Sequence, residues 1–115
     1  MSSFSEKGLL GELEQLVLLA MIRVAADDAD AYAVAIRDAI ARHAGVALSP
    51  SSVYVTLDRL ERKGYATSWM GAPTAERGGK AKRCFEATAA GRRALAEADR
   101  AVSRLRAAAF GRSAR

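Results

Sequence analysis

Ser49-Pro50-Ser51-Ser52-Val53-Tyr54-Val55-Thr56-Leu57-Asp58-Arg59-Leu60-Glu61-Arg62-Lys63-Gly64 is the stretch on which the fold turns. Ser49 followed by Pro50 marks a helix start. The hydroxyl can accept from a first-turn amide, and proline at the first helical position gives up an N–H that has no partner there. Val53, Leu57 and Leu60 form a buried stripe, and Gly64 stands where a left-handed C-terminal cap is wanted. Projected at about 100° per residue, Ser51, Val55, Asp58 and Arg62 fall opposite that stripe, flanked by Ser52, Tyr54 and Arg59. A helix N-terminus with amides and hydroxyls suits a phosphate, and Tyr54 and Arg59 are long enough to reach a nucleic-acid backbone or base edges. An ordinary solvated helix face can have the same composition. Asp58 fits the first reading poorly, since a carboxylate repels phosphate. It either pairs with Arg62 one turn later or accepts from a cytosine amino group.

Outward from this helix the chain reads as a helical domain with one hairpin. On the N-terminal side Leu9, Leu13, Leu16, Val17, Ala20 and Val24 carry the spacing of an amphipathic helix. The cluster Asp27, Asp28 and Asp30 interrupts it, with Asp30 expected to cap a second helix whose stripe is Tyr32, Ile36, Ala39, Ile40 and His43 and whose end is Gly45. On the C-terminal side, residues 65–70 and 83–88 have β character, and Gly71, Pro73, Gly78 and Gly79 lie between them. That is a hairpin with a long tip, and Arg77, Lys80, Lys82 and Arg83 crowd around its diglycine. Such a tip can lie along phosphates or enter a narrow minor groove, though a soluble charged turn has the same composition.

Thr88 is expected to cap a last helix from Ala89 to about Phe110, with Leu95, Ala98, Val102, Leu105 and Ala109 on one stripe. Its alanine-rich face, edged by Arg92, Arg93, Arg100, Arg104 and Arg106, offers one chain little to bury. A second copy is the expected partner; the other possibility is a helix folded back on its own core.

Three helices, a hairpin and a long helix give the expected fold class: mainly α with a small β-hairpin, a winged helix-turn-helix domain over residues 1–88 and a C-terminal dimerisation helix with its tail over residues 89–115. At 115 residues the chain has room for one core. The net charge is +5, but residues 1–58 carry −4 and residues 59–115 carry +9, so the second half builds the basic surface. One cysteine rules out an intrachain disulfide, and no apolar run is long enough to span a bilayer, so the expected location is the cytoplasm. With one histidine, one cysteine and no motif that orients a nucleophile or base, no enzyme, metal site or cofactor is expected.

The segment Ser49 to Tyr65 closely resembles the recognition-helix segment of the PadR family of transcriptional regulators in its serine, tyrosine, leucine, arginine-leucine and glycine positions. The start Leu9-Leu10-Gly11-Glu12-Leu13-Glu14-Gln15-Leu16-Val17-Leu18-Leu19, the loop Glu76 to Arg83 and Thr88-Ala89-Ala90-Gly91-Arg92-Arg93-Ala94-Leu95 extend the likeness over nearly the whole chain. The resemblance implies a homodimeric, usually repressing protein that binds double-stranded operator DNA. It further implies the short subtype, whose single C-terminal helix packs on the partner's N-terminal and C-terminal helices. Carried over by position, DNA contacts would fall on Ser51, Ser52, Tyr54 and Arg59 of the third helix and on Arg77, Lys80 and Lys82 of the wing. The chain departs from many members in having Val55 where they have proline and Cys84 where they have an aromatic. Cys84 is read as packing, with thiol sensing as the alternative.

Two rival functions remain at this level. One is a ligand-responsive regulator with an unidentified small-molecule effector at the dimer interface, for which Trp69 and Phe110 supply no evident aromatic sandwich. The other is a basic protein-interaction module that does not bind DNA.

Overall fold

The computed structural model describes residues 8–71 and 81–111. Four helices and one hairpin follow in the order α1 (Glu12–Ala26), α2 (Ala33–Ala44), α3 (Pro50–Arg62), β1 (Ala66–Met70), β2 (Arg83–Ala87) and α4 (Ala89–Ala109). Most boundaries have a local cause. Ser49 Oγ accepts from the Ser52 amide at 3.1 Å with Pro50 opening α3, and Thr88 Oγ1 accepts from the Gly91 amide at 3.0 Å to open α4. Gly45 and Gly64 take φ of 71° and 80° just past α2 and α3, a conformation that costs glycine nothing. The end of α1 uses Asp28 for the same purpose, at φ 60°, which aspartate tolerates better than most residues.

Val17, Leu18 and Met21 of α1, Ile36 and Ile40 of α2, and Val53, Leu57 and Leu60 of α3 make one continuous core, closed on the far side by Phe85 of β2 and by Ala94 and Ala98 of α4. The hairpin is antiparallel, with Ser68 opposite Phe85 and Trp69 opposite Cys84, and an isolated bridge joins Tyr32 to Cys84. That bridge corrects the expected start of α2. The N-cap is Tyr32 rather than Asp30, because the chain ahead of α2 runs extended alongside β2, where Phe85 donates its amide to the Ala31 carbonyl at 2.9 Å. The buried face of α1 is also rotated from the expected stripe. Val17, Ala20 and Val24 are buried as expected, but Glu14, Leu18 and Met21 join them, while Leu13 and, ahead of the helix, Leu9 are exposed. His43, the last member of the expected α2 stripe, is exposed beside the groove between α1 and α2. Among the described residues no helix is long and apolar enough to cross a membrane.

The last helix enters the core only over its first half. Thr88 donates its hydroxyl to the Gly64 carbonyl at 2.7 Å and its amide to the Tyr65 carbonyl at 3.0 Å. Gly91 sits so close to Tyr65 that a Cβ there would stand 2.2 Å from its carbonyl oxygen. Beyond Ala101 every residue of α4 is exposed, and the helix carries the molecule to a length of 59 Å against 29 and 24 Å across.

Candidate nucleic-acid interface

The two ends of α3 have different surroundings. At its N-terminal end the Ser49 hydroxyl is shared among Ser51 Oγ at 3.3 Å, Ser52 Oγ at 2.9 Å and the Ser52 amide, leaving a small polar cluster at the surface. Thr56 is buried and returns its hydroxyl to the Ser52 carbonyl at 2.8 Å, so it takes no part in that surface. Tyr54 is 57% exposed and stands on the α2 side of the helix, near Val34 and Arg37. Arg59 is exposed on the opposite flank, near Gly11 of the α1 start. The strip between them holds Ser51, Val55, Asp58 and Arg62. Asp58 takes one of its two expected courses, pairing with Arg62 at 3.3 Å, one turn on.

The C-terminal end is tied down on both flanks. On one, Glu14 of α1 is only 5% exposed and accepts from Lys63 Nζ at 2.6 Å and from the Gly11 amide at 2.9 Å. Burial pushes the Glu14 carboxyl up. The Lys63 hydrogen bond, the Gly11 amide and the charges of Lys63 and Arg59 outweigh burial and hold it below its ordinary value. On the other flank, Glu61 accepts from Ser68 of β1 at 2.7 Å and from Arg83 of β2. Sequence reading missed both carboxylates as organising groups. The available signal was an acid in each of two otherwise apolar or basic neighbourhoods, but nothing in the spacing names partners so far apart in the chain.

The wing begins where these ties end. Lys82, expected to contact DNA, is half-buried with its ammonium 5.0 Å from the centre of the Tyr32 ring, a cation–π arrangement. Arg77 and Lys80 lie outside the described residues. Trp69 falls in β1 as expected and is half-exposed. Cys84 is buried in β2, its thiol 3.7 Å from the Lys82 carbonyl.

The expected dimerisation stripe is divided by the fold. Ala98 is 1% exposed and Leu95 half-buried, both against the chain's own core, whereas Val102, Leu105 and Ala109 are exposed, Leu105 to 71%. Further exposed leucines stand at Leu9, ahead of α1, and at Leu13 and Leu19 on it. Between α1 and α2 lies a half-open groove of about 490 Å3, lined by Leu16, Leu19, Ala20, Ala39 and Ile40 with Arg23 and His43 at its rim.

No curated protein matches the chain. Among solved structures it is similar to a PadR-like transcription factor from Bacteroides fragilis, at 20% identity and a TM-score of 0.69, over 84% of this chain and 85% of that one. It is also similar to a PadR family transcription regulator from Clostridium difficile, at 17% identity and a TM-score of 0.63, over 84% and 95%. A padr family transcriptional regulator from Eggerthella lenta aligns at 23% identity and a TM-score of 0.60, over 79% and 77%. These likenesses show the fold, a winged helix with one hairpin and a long last helix. The sequence model of the transcriptional regulator PadR-like family matches residues 21–97, from the middle of α1 to the middle of α4. The family is one of regulators, not of enzymes, and the chain belongs to it.

Proposed function

We propose that the protein is a transcriptional repressor that binds a pseudo-palindromic operator as a homodimer. In this reading α3 enters the major groove through Ser51, Ser52, Tyr54 and Arg59, and the wing meets the backbone or minor groove through Arg77, Lys80 and Lys82. Residues 1–88 form the DNA-binding domain. The helix that follows joins the subunits through Val102, Leu105 and Ala109, set against the partner's N-terminal helix, where Leu13 and Leu19 are exposed. The observation that carries the reading is the outer face of α3, open and polar at its N-terminal end with a largely exposed tyrosine beside it. Family membership makes regulation of transcription the setting for that face.

The test is selection from random-sequence duplexes followed by footprinting on the recovered DNA. A protected site with two related halves on one side of the helix is expected. Recovery of no preferred sequence, with binding that only tracks salt, would favour the protein-interaction reading.

A second reading adds control by a small molecule at the dimer interface, and the apolar groove between α1 and α2 supports it, since the exposed Leu19 lines it. Release of the selected duplex by a hydrophobic compound, lost on Leu19→Trp or Ala39→Phe, is the outcome it requires.

A further inference from the structure

Glu61 has both carboxylate oxygens in use. One accepts from Ser68 Oγ at 2.7 Å and the other from the Arg83 guanidinium, whose Nε donates to the same Ser68 Oγ at 3.1 Å. The three side chains close a ring that contains one residue from α3 and one from each wing strand. Arg83 is held from a further side, its guanidinium 5.2 Å from the centre of the buried Phe85 ring, and Phe85 is the cross-strand partner of Ser68. The next residue back, Lys82, is engaged with Tyr32 at the start of α2. Two consecutive cations at the foot of the wing thus each touch another element, Arg83 reaching α3 and Lys82 the residue that opens α2, and a tilt of the hairpin against α3 would pull on the ring.

We propose that Glu61 is a positioning residue, which fixes the angle between the recognition helix and the wing so that the two bind DNA as one rigid surface. The proposal rests on the DNA-binding reading above, in which both elements touch the same duplex. A carboxylate on a basic surface has no use as a phosphate contact. By charge alone its removal would tighten binding to every duplex. Positioning demands the opposite sign for the selected site, because a wing free to tilt gives up preorganised contacts.

The test compares Glu61→Gln and Ser68→Ala with the wild-type protein on three measurements. Hydrogen exchange without DNA reads the geometry directly. The β1 and β2 amides of Glu61→Gln should exchange at least about fivefold faster while α1 and α2 amides keep their rates. Unchanged wing protection overturns the proposal, and so does a uniform rise over all elements. On the duplex recovered by selection, Glu61→Gln should bind about tenfold more weakly, with Ser68→Ala between it and wild type, while a scrambled duplex is bound as well as before or better. Equal tightening on both duplexes overturns the proposal, as does weakening on both in step with a fall in Tm. The charge swap Glu61→Arg with Arg83→Glu should recover part of the selectivity, and no recovery with normal folding counts against it. Loosened wing amides in a protein that prefers no duplex would break the DNA reading and leave the Glu61 geometry standing, so the two failures are separable.

Discussion

The two halves of α4 share one apolar stripe and meet opposite surroundings. Gly91, Ala94 and Ala98 are buried within their own chain, whereas Val102 and Leu105, continuing that stripe at the same spacing, stand in solvent. The outer half of α3 shows the division in reverse: its N-terminal end is open and its C-terminal end is spent on Glu14, Ser68 and Arg83. Periodicity thus says which face of a helix is apolar but not who covers it. The side that the chain covers itself is a matter of stability; the side left open is a matter of partners.

The sharpest way to break this comparison is Gly91→Ala. Its Cβ would meet backbone rather than a movable side chain, so α4 or residue 65 must shift, and a loss of about 3 kcal/mol is expected in denaturant melts. A cost below about 0.5 kcal/mol would mean that the inner half of α4 is not tightly seated. Ala98→Leu comes next, at about 2 kcal/mol, for overfilling a side chain's place that is already closed.

Glu14→Gln tests the spent end of α3, at about 1 kcal/mol near neutral pH, since Lys63 is partly exposed and screened. Because the folded carboxyl titrates below its ordinary value, its contribution is full above the unfolded pKa and is lost as pH falls through the lowered one. The gap between wild type and variant should therefore close in acid. A gap that persists at pH 2 would show that packing, not charge, accounts for it.

The smallest effects on stability belong to the open regions. Leu105→Asp and Tyr54→Ala should each move the monomer's unfolding free energy by less than about 0.5 kcal/mol. Leu105→Asp should abolish the concentration dependence of Tm and the dimer peak in sedimentation, and Tyr54→Ala should abolish preference for the selected duplex. A large loss of stability in either would move that residue to the other side of the comparison.

Much of this architecture can be read from single residues. Ser49 with Pro50, Gly45, Gly64 and Thr88 announce their boundaries because capping is local chemistry, decided within four residues. The features that escape are those set by distant chain. Asp30 looks like a better cap than Tyr32, yet β2 holds residues 31 and 32 extended from a position some fifty residues away and decides the matter. Leucines occupy so much of α1's circumference that its pattern permits more than one inward face, and the tie from Glu14 to Lys63 helps select the one observed. At the interface, Tyr54 and Arg59 are legible as long side chains on different flanks of the helix, but which element stands beside each depends on where α1 and α2 lie.

The contact between Gly91 and residue 65 has a further consequence, one of leverage. The long helix starts at a pin placed directly behind the C-terminal end of α3, and its 21 residues reach about 30 Å from it. A rotation of only about 5° at the pin would carry the far tip by roughly 3 Å, close to the rise of one base pair. In the proposed dimer, the distance between the two reading helices is then calibrated at residues 88 and 91, far from the surface where the subunits join, and a substitution there would retune operator spacing without touching DNA or the partner.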